Sequence, residues 1–202
     1  MDWRVGPTDL ESVIATSVLQ KRGSARQRLN GETEILLRLT HELAREPERI
    51  FQRLVAAITT MTRAGSSGIS LLNEAGDTFV WPAIAGPLSR FIGDGTPRAF
   101  GPCGTVLDRN QTLLMIRPQR HFEYLQAISP ALEEVLLVPF HVDGRAVGTL
   151  WAISHSDVQH FDAEDRRVLE DLSAFVASAY QTLLRAGSIQ SYLRVRHSRD
   201  AR

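Results

Sequence analysis

The side chains best suited to chemistry sit in a few short stretches. GPCGTVLDRN, Gly101 to Asn110, holds the single cysteine, Cys103, among glycines and a proline. A reactive thiol needs its pKa lowered by a helix N-terminus or a cationic neighbour, and GTVLDRN can form a helical turn beside it. Free cysteine is also among the most buried residue types, so a small apolar filler in a glycine-rich turn accounts for Cys103 as well. His155 and His160 flank Asp157 at a strand-to-helix turn. Zinc wants convergent ligands at tight spacing, and no second ligand cluster pairs with them. They read as surface turn histidines, and no metal site is expected. His41 lies within a helix, facing solvent, and His197 lies in the tail. His121 and His141 could each serve as an axial haem ligand. A lone histidine in a pocket wall is more often a hydrogen-bonding group, so haem is not the expected cofactor.

Composition narrows the setting. Of 202 residues, 43% are hydrophobic and 23% charged, and Lys+Arg equals Asp+Glu at 23 each. A formal net charge of zero gives no electrostatic drive towards nucleic acid or an anionic membrane. One cysteine makes no internal disulfide, which argues against a secreted disulfide scaffold. The start, MDWRVGPTDL, has no apolar run behind a basic segment, and no apolar stretch is long enough to span a bilayer. A cytoplasmic protein without membrane insertion is expected.

Positioning these residues requires a scaffold. Leu10, Val13, Ile14 and Val18 fall on one face of a helix predicted over Asp9–Leu19, and the polar QKRGSARQRLNG reads as a linker. ETEILLRLTHELARE predicts a second helix. Pro47 opens a third, which runs to Arg63 and is closed by Gly65. The period then changes to that of strands: GISLLNEAGDTFVWPAIAG reads as strand, turn, strand. The Gly- and Pro-rich middle, Pro87 to Pro130, is long for a mere connection. Strands over Glu134–Val142 and Ala146–Ser154 are joined at Asp143-Gly144. Asp162 caps a long helix whose core stripe is Val168, Leu172, Phe175, Val176 and Ala179. The pattern predicts an α+β fold, α/β/α sandwich-like. It has a central antiparallel sheet, terminal helices packed on one face, and short helices and loops over a pocket on the other. The expected division is a helical segment and linker over 1–29, the main domain over 30–187, and a basic tail over 188–202.

Over roughly Asn30 to Arg185 the chain resembles a GAF domain. The carrying residues are AGSSGISLL, AFGPCGTVLDRNQTLL, and the hairpin VLLVPFHVDGRAVGTLWAISH followed by FDAEDRRVLEDLSAFVASAYQ. In particular it resembles the N-terminal sensory GAF modules of bacterial sensor histidine kinases, and distantly phytochromes. RHFEYL, Arg120 to Leu125, resembles the phytochrome His-x-x-Tyr-Leu element along the bilin pocket. That implies pocket-lining roles for His121 and Tyr124. Arg120 stands where the bilin-anchoring cysteine would be, so a covalent bilin is not implied. Of the family's cyclic-nucleotide signature only Phe161, Asp162 and Asp165 have counterparts, and those also read as a helix cap. GAF-fold enzymes that reduce free methionine sulfoxide use several cysteines, where this chain has one.

Strand alternation then sorts the hairpin. Leu136, Val138, Phe140 and Val142 share one face. Val135, Leu137, Pro139 and His141 share the other, with Thr149, Trp151 and Ile153 expected beside them. The predicted ligand-binding residues are Trp81, Phe100, Cys103, His121, Tyr124, Leu137, Pro139, Thr149 and Trp151. The expected function is a non-catalytic sensory domain of two-component-type signalling. It would bind an unidentified small molecule and signal through its terminal helices as a homodimer to a kinase or other output partner. The alternatives are a ligand-free dimerisation scaffold and a redox sensor using Cys103. No catalytic constellation is recognised, so the expectation is that the chain is not an enzyme and that any kinase activity would need a separate domain.

Overall fold

A computed structural model describes residues 6–22 and 31–194. Residues 23–30 of the expected linker, His197 and the end of the tail lie outside the described residues, while Gln20 and Lys21, expected in the linker, belong to the first helix. Helices α1 (Thr16–Lys21), α2 (Glu32–Arg45) and α3 (Ile50–Thr62) precede strands β1 (Ser66–Leu72), β2 (Thr78–Ala85) and β3 (Gly95–Pro97). Then come α4 (Pro102–Arg109), β4 (Leu113–Ile116), β5 (Glu134–Val142), β6 (Arg145–Ser154) and α5 (Ala163–Arg185). The strands form one antiparallel sheet in the order β3-β2-β1-β6-β5-β4. The α+β architecture is therefore as the pattern predicts, and the middle segment contributes more than expected. It supplies both edge strands as well as α4.

Local chemistry explains the main elements. Asp143 and Gly144 have φ of 50° and 76°, the left-handed pair that a two-residue hairpin turn needs. Asp162 Oδ1 accepts from the Glu164 and Asp165 amides at 2.8 and 3.0 Å, and Asp165 Oδ2 accepts from the Asp162 amide at 3.0 Å. This reciprocal box starts α5 at the expected residue. The third helix ends differently from expectation. Arg63, at φ 53°, closes α3. Gly65 serves a close approach instead, since a Cβ there would sit 2.6 Å from His155 Cδ2.

Helices α3 and α5 cover one face of the sheet. Leu54, Ile58 and Met61 of α3 and Val168, Leu172 and Val176 of α5 are buried against Ile69, Leu136, Val138, Leu150 and Ala152. Phe175 lies at the border of this core, partly buried. The predicted helix over Asp9–Leu19 is interrupted. A short 3-10 turn, Leu10–Ser12, leads into an extended step in which Ile14 bridges Met115. The Ala15 amide donates to Leu114 O and the Ile116 amide to Val13 O, both at 2.8 Å. The segment thus covers the free edge of β4, where open backbone groups would otherwise invite pairing. Arg22 fastens it, donating to both carboxylate oxygens of the buried Glu134 at 2.9 and 2.7 Å. Among the described residues no helix is long and apolar enough to cross a membrane.

Candidate functional site

The second face of the sheet is roofed by the chain between β2 and β5, and a cavity of about 340 Å³ lies beneath that roof. Ligand pockets run from about 300 to 1,000 Å³, so this one suits a small molecule. Its floor is Trp81 and Ile84 of β2, Val135 and Leu137 of β5, and Trp151 and Ile153 of β6. The single helical turns Pro87–Phe91 and Glu123–Ala127 bring Leu88, Phe91, Tyr124 and Leu125 over it. Ile128, Leu132 and the first residues of α4 complete the lining.

Each aromatic wall is placed by a local device. The register between β1 and β2 shifts between Ile69 and Leu71, so Trp81 and Pro82 bulge from the ladder. Proline fits there because a bulge spares its missing N–H. Trp81 then pairs with the next turn, its amide donating to Asp94 O at 2.9 Å and its carbonyl accepting from the Gly93 amide at 2.8 Å. Trp151 lies over Gly68, where a Cβ would come 2.1 Å from its Cζ2. Its Nε1 donates to Ser70 Oγ at 3.0 Å, and that hydroxyl meets Cys103 Sγ at 3.3 Å. Gly104 lets α4 approach closely, since a Cβ would sit 1.9 Å from the Arg98 carbonyl oxygen.

Cys103 is the second residue of α4. It keeps some accessible surface because the cavity borders it, although protein encloses the thiol itself. Burial is the largest influence and pushes the thiol's pKa above its ordinary value, against weaker opposing contacts from Ser70 and Thr149. Thr149 Oγ1 is buried without a full hydrogen-bond partner of its own. Burial, and then the neighbouring Cys103, raise the pKa of Tyr124, so both groups are neutral at physiological pH.

Of the nine predicted site residues, Trp81, Cys103, Tyr124, Leu137 and Trp151 border the cavity. Phe100 does not: it precedes α4 and is 39% exposed. His121 is turned towards the N-terminal segment, where Nδ1 meets Thr8 O at 2.7 Å. Thr149 lies on the cavity face of β6 but beneath Cys103. Pro139 faces it across the ladder, at the end of the sheet on which α4 packs. Ile84, Leu88, Phe91, Asp94, Leu125 and Ile128 are cavity residues that sequence reasoning missed. Most sit in short turns, where apolar residues show no period. Three further histidines have structural partners, while His41 is exposed on α2 as expected. His155 Nε2 meets Ser66 Oγ and its Nδ1 meets Ala131 O, each at 2.8 Å. His160 Nδ1 meets Glu134 Oε1 at 2.8 Å, and His141 Nε2 meets Asn110 Oδ1 at 2.6 Å. Phe161 is 1% exposed and buried in the helix-side core, so FDAED acts as the start of α5.

Comparison with known proteins agrees with this geometry. The family model described as GAF domain matches residues 46–180. Among curated protein sequences none matches this one. In structure the chain is similar to the free methionine-R-sulfoxide reductase of Neisseria meningitidis, solved with its substrate. The TM-score is 0.65 at 22% identity, over 82% of this chain and 97% of that one. It is similar to the GAF domain of an Acinetobacter phosphoenolpyruvate-protein phosphotransferase, with TM-score 0.68 and 19% identity over 80% of this chain and 99% of that one. It is also similar to the Stigmatella aurantiaca phytochrome photosensory core, with TM-score 0.58 and 16% identity over 84% of this chain and 42% of that one. The first of these corrects the expectation that the chain is not an enzyme. A reductase is built on this same fold, so the lack of a familiar constellation does not exclude catalysis.

Proposed function

The chain belongs to the GAF-domain family, a regulatory, small-molecule-binding fold, and on that premise we propose that it is a sensor of a small, largely apolar molecule. The observation that carries this reading is the roofed cavity, open at one mouth, with its aromatic and aliphatic walls. Strand β6 offers a route for the signal. Trp151 and Ile153 border the cavity, while Leu150 and Ala152 of the same strand pack in the core shared with α3 and α5. A ligand that favours one position of β6 biases the helices as well, which is the requirement for allosteric output. We further propose that output passes through the terminal helices of a homodimer to a kinase or another signalling partner, as in bacterial two-component systems, in the cytoplasm. Leu37 on α2 and Leu184 on α5 support this, as apolar side chains 59% and 44% exposed.

The test is binding of N-phenylnaphthylamine, a neutral probe whose fluorescence rises in apolar surroundings. The expected result is saturable binding, weakened about tenfold or more in Leu137→Trp, whose larger ring occupies the cavity. Native thermal unfolding of the variant shows that the fold survives. Absence of saturable binding, or equal binding by the variant, overturns the reading and favours a ligand-free scaffold.

A second reading, catalysis or redox sensing at Cys103, is favoured by the thiol's position against the cavity. It predicts that free methionine sulfoxide is consumed in the presence of dithiothreitol, and that Cys103→Ala abolishes this. Sensing alone predicts that the alanine variant still binds the probe and that the sulfoxide is untouched.

A further inference from the structure

Resting on the reading of this cavity as a ligand site, we infer that its ligand is an aromatic molecule of about two fused rings carrying an ammonium or similar cationic group, held by the Asp94 carboxylate. Three observations converge on that chemistry. Trp81, Phe91, Tyr124 and Trp151 all border the cavity. Their faces stack on a flat ring system and attract positive charge. Asp94 is the one charged residue in the wall, and its carboxylate accepts no hydrogen bond from the described residues. Its backbone is held on both sides, with the carbonyl bound by the Trp81 amide at 2.9 Å and the amide donating to Phe91 O at 3.0 Å.

The third observation is the lack of any lysine, arginine or histidine in the wall. Arg90 is nearby, but its guanidinium donates to the Ser129 carbonyl and lies 4.7 Å from the centre of the Phe91 ring, outside the lining. A carboxylate or phosphate entering the cavity would lose its hydration without gaining a counter-charge. A cation avoids that cost, because Asp94 is only partly buried. The aromatic body enters, and the charged head stays at the mouth between Asp94 and water.

Calorimetry with three ligands that share one ring system tests this: naphthylmethylamine, naphthylmethanol and naphthoate at neutral pH and low salt. The cationic amine binds about fivefold more tightly than the alcohol, and naphthoate binds most weakly. Asp94→Asn removes the amine's advantage over the alcohol. Raising the ionic strength shrinks the same advantage in the unaltered protein, a check that does not depend on the variant's folding. The inference is overturned if naphthoate binds as well as the alcohol, or if the amine's advantage survives in Asp94→Asn or in high salt. If the alcohol binds but the amine gains nothing, the cavity remains a ligand site and only the cationic class is wrong. If none of the three binds, the ligand reading itself has failed.

Discussion

The two faces of the sheet are built from different residues. Along β1, Ile69 and Leu71 turn towards α3 and α5, while Ser66, Gly68 and Ser70 turn the other way. On β6 the helix side carries Leu150 and Ala152, and the cavity side Thr149, Trp151 and Ile153. The helix side is filled mainly by aliphatic side chains, with Phe51, Phe140 and Phe161 among them, that interlock with two long helices. The cavity side sets small residues beside large rings and is roofed by short turns whose backbones stand away from the strands. Close packing stabilises the first face, and incomplete packing leaves room on the second. A sheet this small can hold a cavity because one face alone supplies most of the burial.

The largest expected effect tests this division directly. Leu172→Ala on the helix side removes a side chain 1% exposed and is expected to cost about 3–4 kcal/mol. Leu137→Ala is just as buried, yet it borders space that already exists and gives up fewer contacts. A cost of about 1–2 kcal/mol is expected. Urea unfolding of the two variants measures both, and equal losses would break the contrast between the faces.

Gly68→Ala sharpens it from the cavity side. The added methyl cannot coexist with Trp151 in its present place, so the indole must move off the strand and into the cavity. Probe binding is expected to fall about tenfold, with a stability loss of about 1–3 kcal/mol from the repacking. Unchanged probe affinity would mean that Trp151 does not set the depth of the cavity.

The faces were legible in the sequence because they rest on alternation, a local signal. Val135 to Val142 and Thr149 to Ile153 sort onto their observed sides from period alone. Asp143-Gly144 and Asp162 are equally local, each a backbone conformation or a cap that few residue types supply. The edges were not legible. Strands β3 and β4 are three and four residues long, too short to show a period, and they exist through pairing with β2 and β5. The apolar residues near the N-terminus have helical spacing, but the backbone of Val13 and Ala15 satisfies its hydrogen bonds on β4 instead. In the site, the floor apart from Ile84 followed from the strands. The roof did not, because Leu88, Phe91 and Ile128 sit in turns where only tertiary contacts decide the direction of a side chain. His121 illustrates the converse: a residue in a pocket-like motif was drawn off by the Thr8 carbonyl.

The ion pair that fastens the N-terminal segment adds a pH-dependent part to the helix side of the comparison, since Glu134 shares its strand face with Leu136 and Val138 and binds the Phe161 amide. Burial pushes the pKa of Glu134 up, but Arg22, the Phe161 amide and His160 together outweigh it and hold the carboxyl below its ordinary value. A carboxyl with a lowered folded pKa contributes stability above its unfolded pKa, and that stability is lost as pH falls through the folded value. Unfolding midpoints in urea are therefore expected to drop as the pH is lowered below the ordinary carboxylate range. Glu134→Gln is expected to flatten that part of the slope. An unaltered slope in the variant would show that this pair does not govern the attachment of the segment.

The smallest effect concerns Cys103. Its thiol touches the hydroxyl of Ser70 and borders a cavity, so Cys103→Ala removes little packing, and a loss of about 1 kcal/mol or less is expected. The thiol's chemistry is the more telling measurement. The thiolate is the reactive form, and a pKa pushed up by burial leaves less of it at neutral pH than a free cysteine has. Maleimide labelling of the native protein is therefore expected to be slower than that of the unfolded chain, and to accelerate only above the ordinary thiol range. A neutral probe that fills the cavity should slow it further, since reagent and probe would share one entrance. Fast labelling at neutral pH would instead mean a thiol activated by the first turn of α4. The cavity face would then hold a reactive centre as well as space for a ligand.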